Sequence, residues 1–131
     1  MNRNKYKFDI IITFIFFKLN IIILYKMVKL VTDLAELQTI FENNPTVIID
    51  FTATWCGPCQ NIAPVFKELS EQYPEITCIK IDVDNETTKE ICTLCEVRSM
   101  PTFIVVKNGT LVNKIVGASR NSLESLFSGA S

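Results

Sequence analysis

Two cysteines three positions apart, Cys56 and Cys59, lie where an apolar strand is predicted to give way to a helix. The apolar run at residues 46–51 predicts a buried strand before them, and residues 60–73 carry apolar side chains at helical spacing after them. At the start of a helix, two thiols at this spacing can close and reopen a disulfide. This segment predicts an α/β fold built around a redox-active dithiol.

The rest of the chain alternates between strand and helix patterns. Asp33 is predicted to cap the first helix with Glu36 as its capping-box partner, Ser119 to cap the last helix, and Asn108-Gly109 to close a hairpin. The order β-α-β-α-β-α-β-β-α predicts a mixed central sheet with helices on both faces. The predicted strands cover residues 28–31, 46–51, 77–83, 102–106 and 111–116, and the helices follow residues 33–43, 56–73, 87–95 and 119–127.

Cysteine and histidine content narrows the chemistry. The 131 residues include five cysteines and no histidine, which excludes hydrolases that need a Cys–His pair. An odd number of cysteines without regular spacing is untypical of a secreted disulfide framework. The pattern favours free thiols in a reducing compartment together with one active pair, and it predicts a cytoplasmic protein.

Residues 1–26 differ in composition from residues 27–131, which we predict to form the folded domain. The first region is low in complexity and carries a net charge of +4, which leaves −5 on the domain. Its apolar runs, at 10–17 and 21–25, are separated around Lys18. Three interpretations stay open for it: an upstream extension absent from the working protein, a signal anchor or uncleaved signal, and an organelle-targeting segment. The mildly acidic domain has no basic stripe, and no nucleic-acid partner is expected.

Several segments together resemble the thioredoxin family, in the family's order and spacing. The Trp-Cys-Gly-Pro-Cys loop with its preceding strand resembles the family's active site, and a later Met-Pro-Thr segment resembles its cis-proline loop. The matching segments are residues 50–59, 80–84, 98–103, 107–109 and 116–118. The resemblance implies a thioredoxin fold over residues 27–131 and implies nothing for residues 1–26.

The chemistry expected of the pair follows from a helix N-terminus and from the resemblance. Unpaired N–H groups and the partial positive charge there stabilise a thiolate, so Cys56 is the predicted nucleophile. Trp55 and Pro58 are expected to leave its sulfur at the surface. Cys59, one helical turn further on, is the predicted resolving thiol and is expected to be more buried, with a raised pKa.

Supporting roles are implied mainly by the resemblance. Gly57 and Pro58 set the redox poise of the pair. Asp50 lies in an apolar strand, so burial is expected to raise its pKa, and it helps deprotonate Cys59 through water. Lys80 is similar to a lysine that the family places near this carboxylate, although a solvent-facing strand lysine is the alternative.

The expected substrate-binding residues are Trp55, Met100, Pro101 and Gly117. The resemblance implies a cis Met100–Pro101 bond facing the cysteine pair, with the Met100 backbone pairing with an extended client segment. Gly117 is expected to let the client backbone approach closely, and a simple turn glycine is the alternative.

A protein-disulfide reductase is the function that the resemblance implies. Electrons are expected from NADPH through a flavoprotein, thioredoxin reductase, with no cofactor or metal bound to this chain. The expected partners are diverse disulfide-containing clients, and the chain is expected to act as a monomer. Two alternatives stay open: a membrane-anchored or secretory-pathway oxidoreductase that uses residues 1–26, and a subunit that binds a partner only in one redox state.

Cys92 and Cys95 repeat the Cys-x-x-Cys spacing on a predicted short helix. We interpret them as small residues on a partly buried face, with a regulatory oxidation site as the alternative. A zinc module built from both pairs is disfavoured because the gap between the pairs is wide. Cys78 is predicted to lie in the core.

Overall fold

The computed structural model describes residues 9–18 and 28–131. Residues 9–18 form a helix, α1. The apolar run at 21–25 and the predicted start of the domain at Met27 lie outside the described residues. From residue 28 onward the elements are β1 (Lys29–Leu30), α2 (Leu34–Asn43), β2 (Thr46–Thr52), α3 (Gly57–Gln72), β3 (Thr77–Asp82), a 3-10 turn (Glu86–Thr88), α4 (Lys89–Leu94), β4 (Thr102–Lys107), β5 (Thr110–Val116) and α5 (Arg120–Ala130).

The five strands of the described residues form one mixed sheet, as predicted, and their order in the sheet is β1-β3-β2-β4-β5. Strands β1, β3 and β2 are parallel, whereas β4 is antiparallel to both β2 and β5. Phe51 at the end of β2 pairs with Thr102 at the start of β4, which pairs in turn with Val116 at the end of β5. This register brings the segments that follow β2, precede β4 and follow β5 to one edge of the sheet.

Two apolar clusters fill the two faces of the sheet. Successive side chains of a strand point to opposite faces, so Ile48 lies in one cluster and Ile49 in the other. The first cluster takes its helical members from α3 and α5, and the second from α2 and α4. The prediction of helices on both faces is therefore confirmed.

The caps explain where the helices begin. Asp33 Oδ1 accepts a hydrogen bond from Glu36 N at 2.8 Å, as the capping box predicts. The return bond differs from the prediction, because Glu36 Oε2 accepts from Thr32 N at 3.3 Å, one residue before the cap. Ser119 Oγ accepts from Ser122 N at 3.3 Å and caps α5.

The helix predicted over 87–95 is divided in two. Asn85 Oδ1 accepts from Thr87 N at 3.1 Å, and Thr88 Oγ1 donates to Asp82 O at 2.5 Å. These bonds hold a tight 3-10 turn against the end of β3, so α4 begins only at Lys89. The predicted hairpin is confirmed at Asn108 and Gly109, where φ is 49° and 76°.

Helix α1 is apolar and exposed. None of its residues belongs to these two clusters or to a third, small cluster of Ala53, Cys56 and Cys59. In the part of the chain that the structure describes, no helix is both long enough and apolar enough to cross a membrane.

Candidate active site

The two cysteines meet at the edge where β2 ends and α3 begins. Cys56 and Cys59 form a disulfide with their Cα atoms 5.3 Å apart. Cys56 is the N-cap residue of α3, and the Cys59 backbone N–H donates to Cys56 Sγ at 3.2 Å. A thiolate on Cys56 would therefore accept a hydrogen bond at the positive end of a helix, which lowers the pKa of a thiol.

Burial distinguishes the two sulfurs less than predicted. Cys59 is 1% exposed, as expected of a resolving thiol, but Cys56 is also buried, with 5% exposed. The expected surface position of Cys56 is therefore wrong. Its side chain packs in a small cluster with Ala53, Cys59 and Met100, and Met100 O lies 3.7 Å from its sulfur.

Gly57 and Pro58 occupy the first turn of α3. The N–H groups of this turn have no partner within the helix, so the missing N–H of Pro58 costs little, as predicted. A Cβ added at Gly57 would meet no atom within 4 Å apart from its neighbours in the helix. Their role in setting the redox poise stays a prediction.

Asp50 is a buried carboxyl group beneath the cysteine loop. It shares strand parity with Ile48, so it faces the side of the sheet that α3 covers. It is 1% exposed, and among the described residues no hydrogen bond reaches its Oδ1 atom. Desolvation raises its pKa to about 7, although the positive charge of Lys80 lowers it. The predicted burial and raised pKa are confirmed.

Lys80 lies opposite Asp50 in the parallel register of β2 and β3. Its positive charge lowers the pKa of this carboxyl group. The position matches the one expected from the resemblance, and its role in the chemistry stays a prediction.

The cis-proline loop closes the other side of the site. The Met100–Pro101 bond is cis, as predicted. Gly117 N donates to Pro101 O at 2.9 Å, so the segment after β5 is held against this loop. Gly117 has a φ of 101°, a conformation that other residues rarely adopt, and a Cβ there would meet no atom within 4 Å. The substrate-binding roles of Met100, Pro101 and Gly117 stay predictions.

Sequence reasoning missed the residue that orients the tryptophan. Trp55 is 68% exposed, yet its Nε1 atom donates to Asp84 Oδ2 at 2.6 Å. Asp84 follows β3, which is parallel to β2, and carboxyl ends of parallel strands share an edge of the sheet. The sequence could have predicted the contact between Trp55 and Asp84, because both residues follow strands that were predicted to lie in one sheet.

The remaining cysteines lie away from this loop. Cys78 is buried in the first cluster, as predicted, and Cys92 and Cys95 are half-buried against the second. All three are free thiols. Across residues 9–18 and 28–131, no three His, Cys, Asp or Glu side chains are grouped so that they could hold a metal ion.

Known proteins have sequences similar to most of this chain. The family model described as Thioredoxin matches residues 28–128. Thioredoxin 1 of Plasmodium falciparum is 45% identical over 101 residues, which cover 77% of this chain and 95% of that protein. A thioredoxin H-type of Picea mariana is 47% identical over 90 residues, which cover 69% of this chain and 70% of that protein.

Solved structures agree with the sequence comparison. A structure of Plasmodium falciparum thioredoxin has a TM-score of 0.75 and 42% identity, and the match covers 79% of this chain and 100% of that one. Oxidized mitochondrial thioredoxin 3 of Saccharomyces cerevisiae has a TM-score of 0.74 and 38% identity, with 80% of this chain and 97% of that one covered.

Proposed function

The chain belongs to the thioredoxin family and is a protein-disulfide oxidoreductase, and from this premise we propose a mechanism, an electron donor and a location for it. The function depends most directly on one observation, the Cys56–Cys59 pair at the N-terminus of α3 with an N–H directed at the first sulfur. We assign the redox domain to residues 27–131.

Cys56 is the attacking sulfur in this proposal. Its thiolate displaces one sulfur of a client disulfide, which leaves as a thiolate and takes up a proton, and a mixed disulfide joins Cys56 to the client. The donor at Cys59 N and the helix N-terminus favour the thiolate over the thiol. Cys56 is chosen over Cys59 because Cys56 holds the N-cap position and its sulfur accepts the Cys59 N–H.

Cys59 resolves the mixed disulfide. Its thiolate attacks Cys56 Sγ, the client's second sulfur leaves, and the Cys56–Cys59 disulfide forms. Two electrons have then passed from the dithiol to the client. The observed disulfide, with its 5.3 Å Cα separation, supports this product state.

Asp50 takes the proton from Cys59 in the resolving step, through an intervening water molecule. A general base works best when its pKa lies near the working pH, and the pKa of Asp50 is about 7. Its position on the α3 side of the sheet supports this role, and the nearby charge of Lys80 keeps its pKa from rising further.

The client segment binds as an extended chain between Trp55 and the cis-proline loop. The Met100 backbone supplies hydrogen bonds, and the lack of a side chain at Gly117 leaves room for the client backbone. Recognition through backbone groups explains how one site could serve clients of differing sequence. We expect a monomer to be sufficient, because the described cysteines, Asp50 and the loop come from one chain.

Re-reduction of the disulfide requires an external donor of two electrons. We propose a flavoprotein thioredoxin reductase that draws on NADPH. The three free thiols Cys78, Cys92 and Cys95 support a reducing compartment, and we place the protein in the cytoplasm.

Insulin reduction assayed with two different electron donors tests the disulfide exchange and the proposed donor separately. With dithiothreitol as donor, the purified chain should reduce insulin disulfides; with NADPH and thioredoxin reductase, it should do so while NADPH is oxidised. Activity with dithiothreitol but none with NADPH would refute the proposed donor and leave the exchange chemistry intact. Inactivity with both would refute the proposed mechanism.

A further inference from the structure

A tight turn over residues 53–56 leads from β2 to the cysteine pair, and Gln60 is bonded to both of its ends. Across the turn, Cys56 N donates to Ala53 O at 3.2 Å. The side chain of Gln60 reaches back, and its Nε2 atom donates to the same Ala53 oxygen at 3.3 Å. The backbone N–H of Gln60 donates to Cys56 O at 3.2 Å. Gln60 therefore connects the first residue of this turn with the last.

The carbonyl group of Ala53 lies where hydrogen-bond partners are needed. Ala53 is 1% exposed and packs in the small cluster that also contains Cys56 and Cys59. A buried carbonyl group without a partner costs free energy, and its oxygen has two lone pairs. The Cys56 N–H and the Gln60 amide supply two donors to this oxygen. The Gln60 side chain thus contributes one of the two bonds that fix the start of the turn.

The central residues of the turn are held by little packing. Thr54 and Trp55 are both exposed, so few apolar contacts restrict them. On one side, Trp55 Nε1 donates to Asp84 Oδ2 at 2.6 Å. On the side of α3, the bond from Gln60 to Ala53 O holds the turn. Its conformation therefore depends mainly on hydrogen bonds, and side-chain bonds hold it from both sides.

The conformation of the turn determines where the Cys56 sulfur lies. Cys56 is the last residue of the turn and also the N-cap of α3, with extended backbone angles of φ −83° and ψ 106°. In this conformation its sulfur accepts the Cys59 N–H at 3.2 Å. If the turn loosens, Cys56 leaves the N-cap conformation for part of the time. Its thiolate then loses the hydrogen bond and the partial positive charge of the helix N-terminus.

We propose that Gln60 is a positioning residue for disulfide exchange. It holds the 53–56 turn so that the Cys56 sulfur stays at the N-terminus of α3, and it acts through the Ala53 carbonyl group without contacting the reacting sulfur. The amide of Gln60 is uncharged, so it favours the thiolate through geometry and not through charge. This role rests on the proposed function, in which Cys56 is the attacking sulfur.

Alkylation of the reduced full chain with iodoacetamide tests this role. Gln60→Met keeps the length of the side chain and removes the donor. The pH at which the Cys56 rate reaches half its maximum should rise by about 0.5, which is about a threefold lower ionisation constant. This size is expected because a neutral hydrogen bond shifts an equilibrium by about two- to tenfold. The rate at high pH should stay nearly the same, since the thiol is then ionised in both proteins.

A matched variant controls for the loss of an amide from the first turns of α3. Asn61 follows Gln60 in the helix and is also exposed. Asn61→Met introduces the same side chain one position later, and Cys56 should titrate in this variant as it does in the unchanged chain. The rates of Cys92 and Cys95, followed in the same samples by mass spectrometry, should be equal in all three proteins because the fold is unchanged.

Two results would overturn the role of Gln60. Cys56 could titrate in Gln60→Met as it does in the unchanged chain, or Asn61→Met could shift the Cys56 titration as far as Gln60→Met does. Either result leaves the exchange chemistry intact if Cys56 of the unchanged chain reaches half its maximal rate below about pH 7.5. A Cys56 that titrates together with Cys92 and Cys95 in the unchanged chain would refute the proposed function, and the role of Gln60 with it.

Discussion

The chain contains the spacing Cys-x-x-Cys twice, at opposite ends of two helices. Cys56 and Cys59 open α3, where a backbone N–H donates to Cys56 Sγ. Cys92 and Cys95 close α4, where Cys95 is the C-cap and its own N–H bonds to Ile91 O at 3.0 Å. The first pair therefore lies at a helix N-terminus, which carries a partial positive charge. The second pair lies at a helix C-terminus, which carries a partial negative charge.

The electrostatic surroundings of the second pair oppose thiolate formation. Burial is the largest cause that raises the pKa of Cys92 and of Cys95 above 9.0, and the neighbouring Cys92 raises that of Cys95 further. Lys114 Nζ, which lowers the pKa of Cys95, is hydrogen-bonded to Cys95 O at 3.1 Å. Identical spacing therefore gives a disulfide at one site and two free thiols with raised pKa at the other.

Removing Cys56 from the first pair, or both cysteines of the second pair, should have the largest and most unequal effects on activity. Cys56→Ser should lower insulin reduction to the rate of dithiothreitol alone, because a hydroxyl group cannot form the mixed disulfide. Cys92→Ala/Cys95→Ala should keep the activity of the unchanged chain in the same turbidity assay. A large loss in the second variant, with its fold intact by circular dichroism, would show that both pairs take part.

A buried carboxyl group beneath the first pair should make stability depend on pH. The native pKa of Asp50, about 7, exceeds its ordinary value of 3.8, so the folded state binds more protons between these pH values. The free energy of unfolding should therefore fall as pH rises through this window, by at most about 4 kcal/mol.

Asp50→Asn should remove that part of the pH dependence. The variant should be more stable than the unchanged chain above pH 7, by up to about 4 kcal/mol, and equal to it below about pH 4. Urea unfolding at several pH values measures this difference. Parallel stability curves for the two proteins would contradict the raised pKa.

The same substitution should have a smaller effect on catalysis. At pH 7, Asp50→Asn should slow insulin reduction by about tenfold, because no buried base takes the proton from Cys59. The difference should shrink toward pH 9, where solvent deprotonates the thiol directly. An unchanged pH–rate profile would show that Asp50 is a structural residue and not a base.

Much of the fold and of the active site could be predicted, because these features depend on local patterns in the sequence. The alternation of apolar runs gave the element order, and Asp33 and Ser119 marked helix starts. The burial of Asp50 followed from an acid inside an apolar strand. The cis Met100–Pro101 bond was predicted from resemblance alone, since no local pattern in the residues distinguishes a cis from a trans bond.

The predictions that were wrong or missed concern contacts between segments that are distant in the sequence. Cys56 is buried because Met100, 44 residues later, packs against it, and no local pattern reports that contact. The hydrogen bond from Trp55 to Asp84 likewise connects two segments that are distant in the sequence, those that follow β2 and β3. The division of the helix predicted over 87–95 depends on Thr88 reaching back to Asp82 O.

The pH dependence of alkylation tests the contrast between the two pairs most directly. The reduced protein would be treated with iodoacetamide over a range of pH, and mass spectrometry would follow each cysteine separately. The account predicts that the Cys56 rate reaches half its maximum below about pH 7.5, as for thiols at helix N-termini, while the rates of Cys92 and Cys95 reach half their maxima only above pH 9.0. Equal titration of Cys56 and the second pair would contradict it.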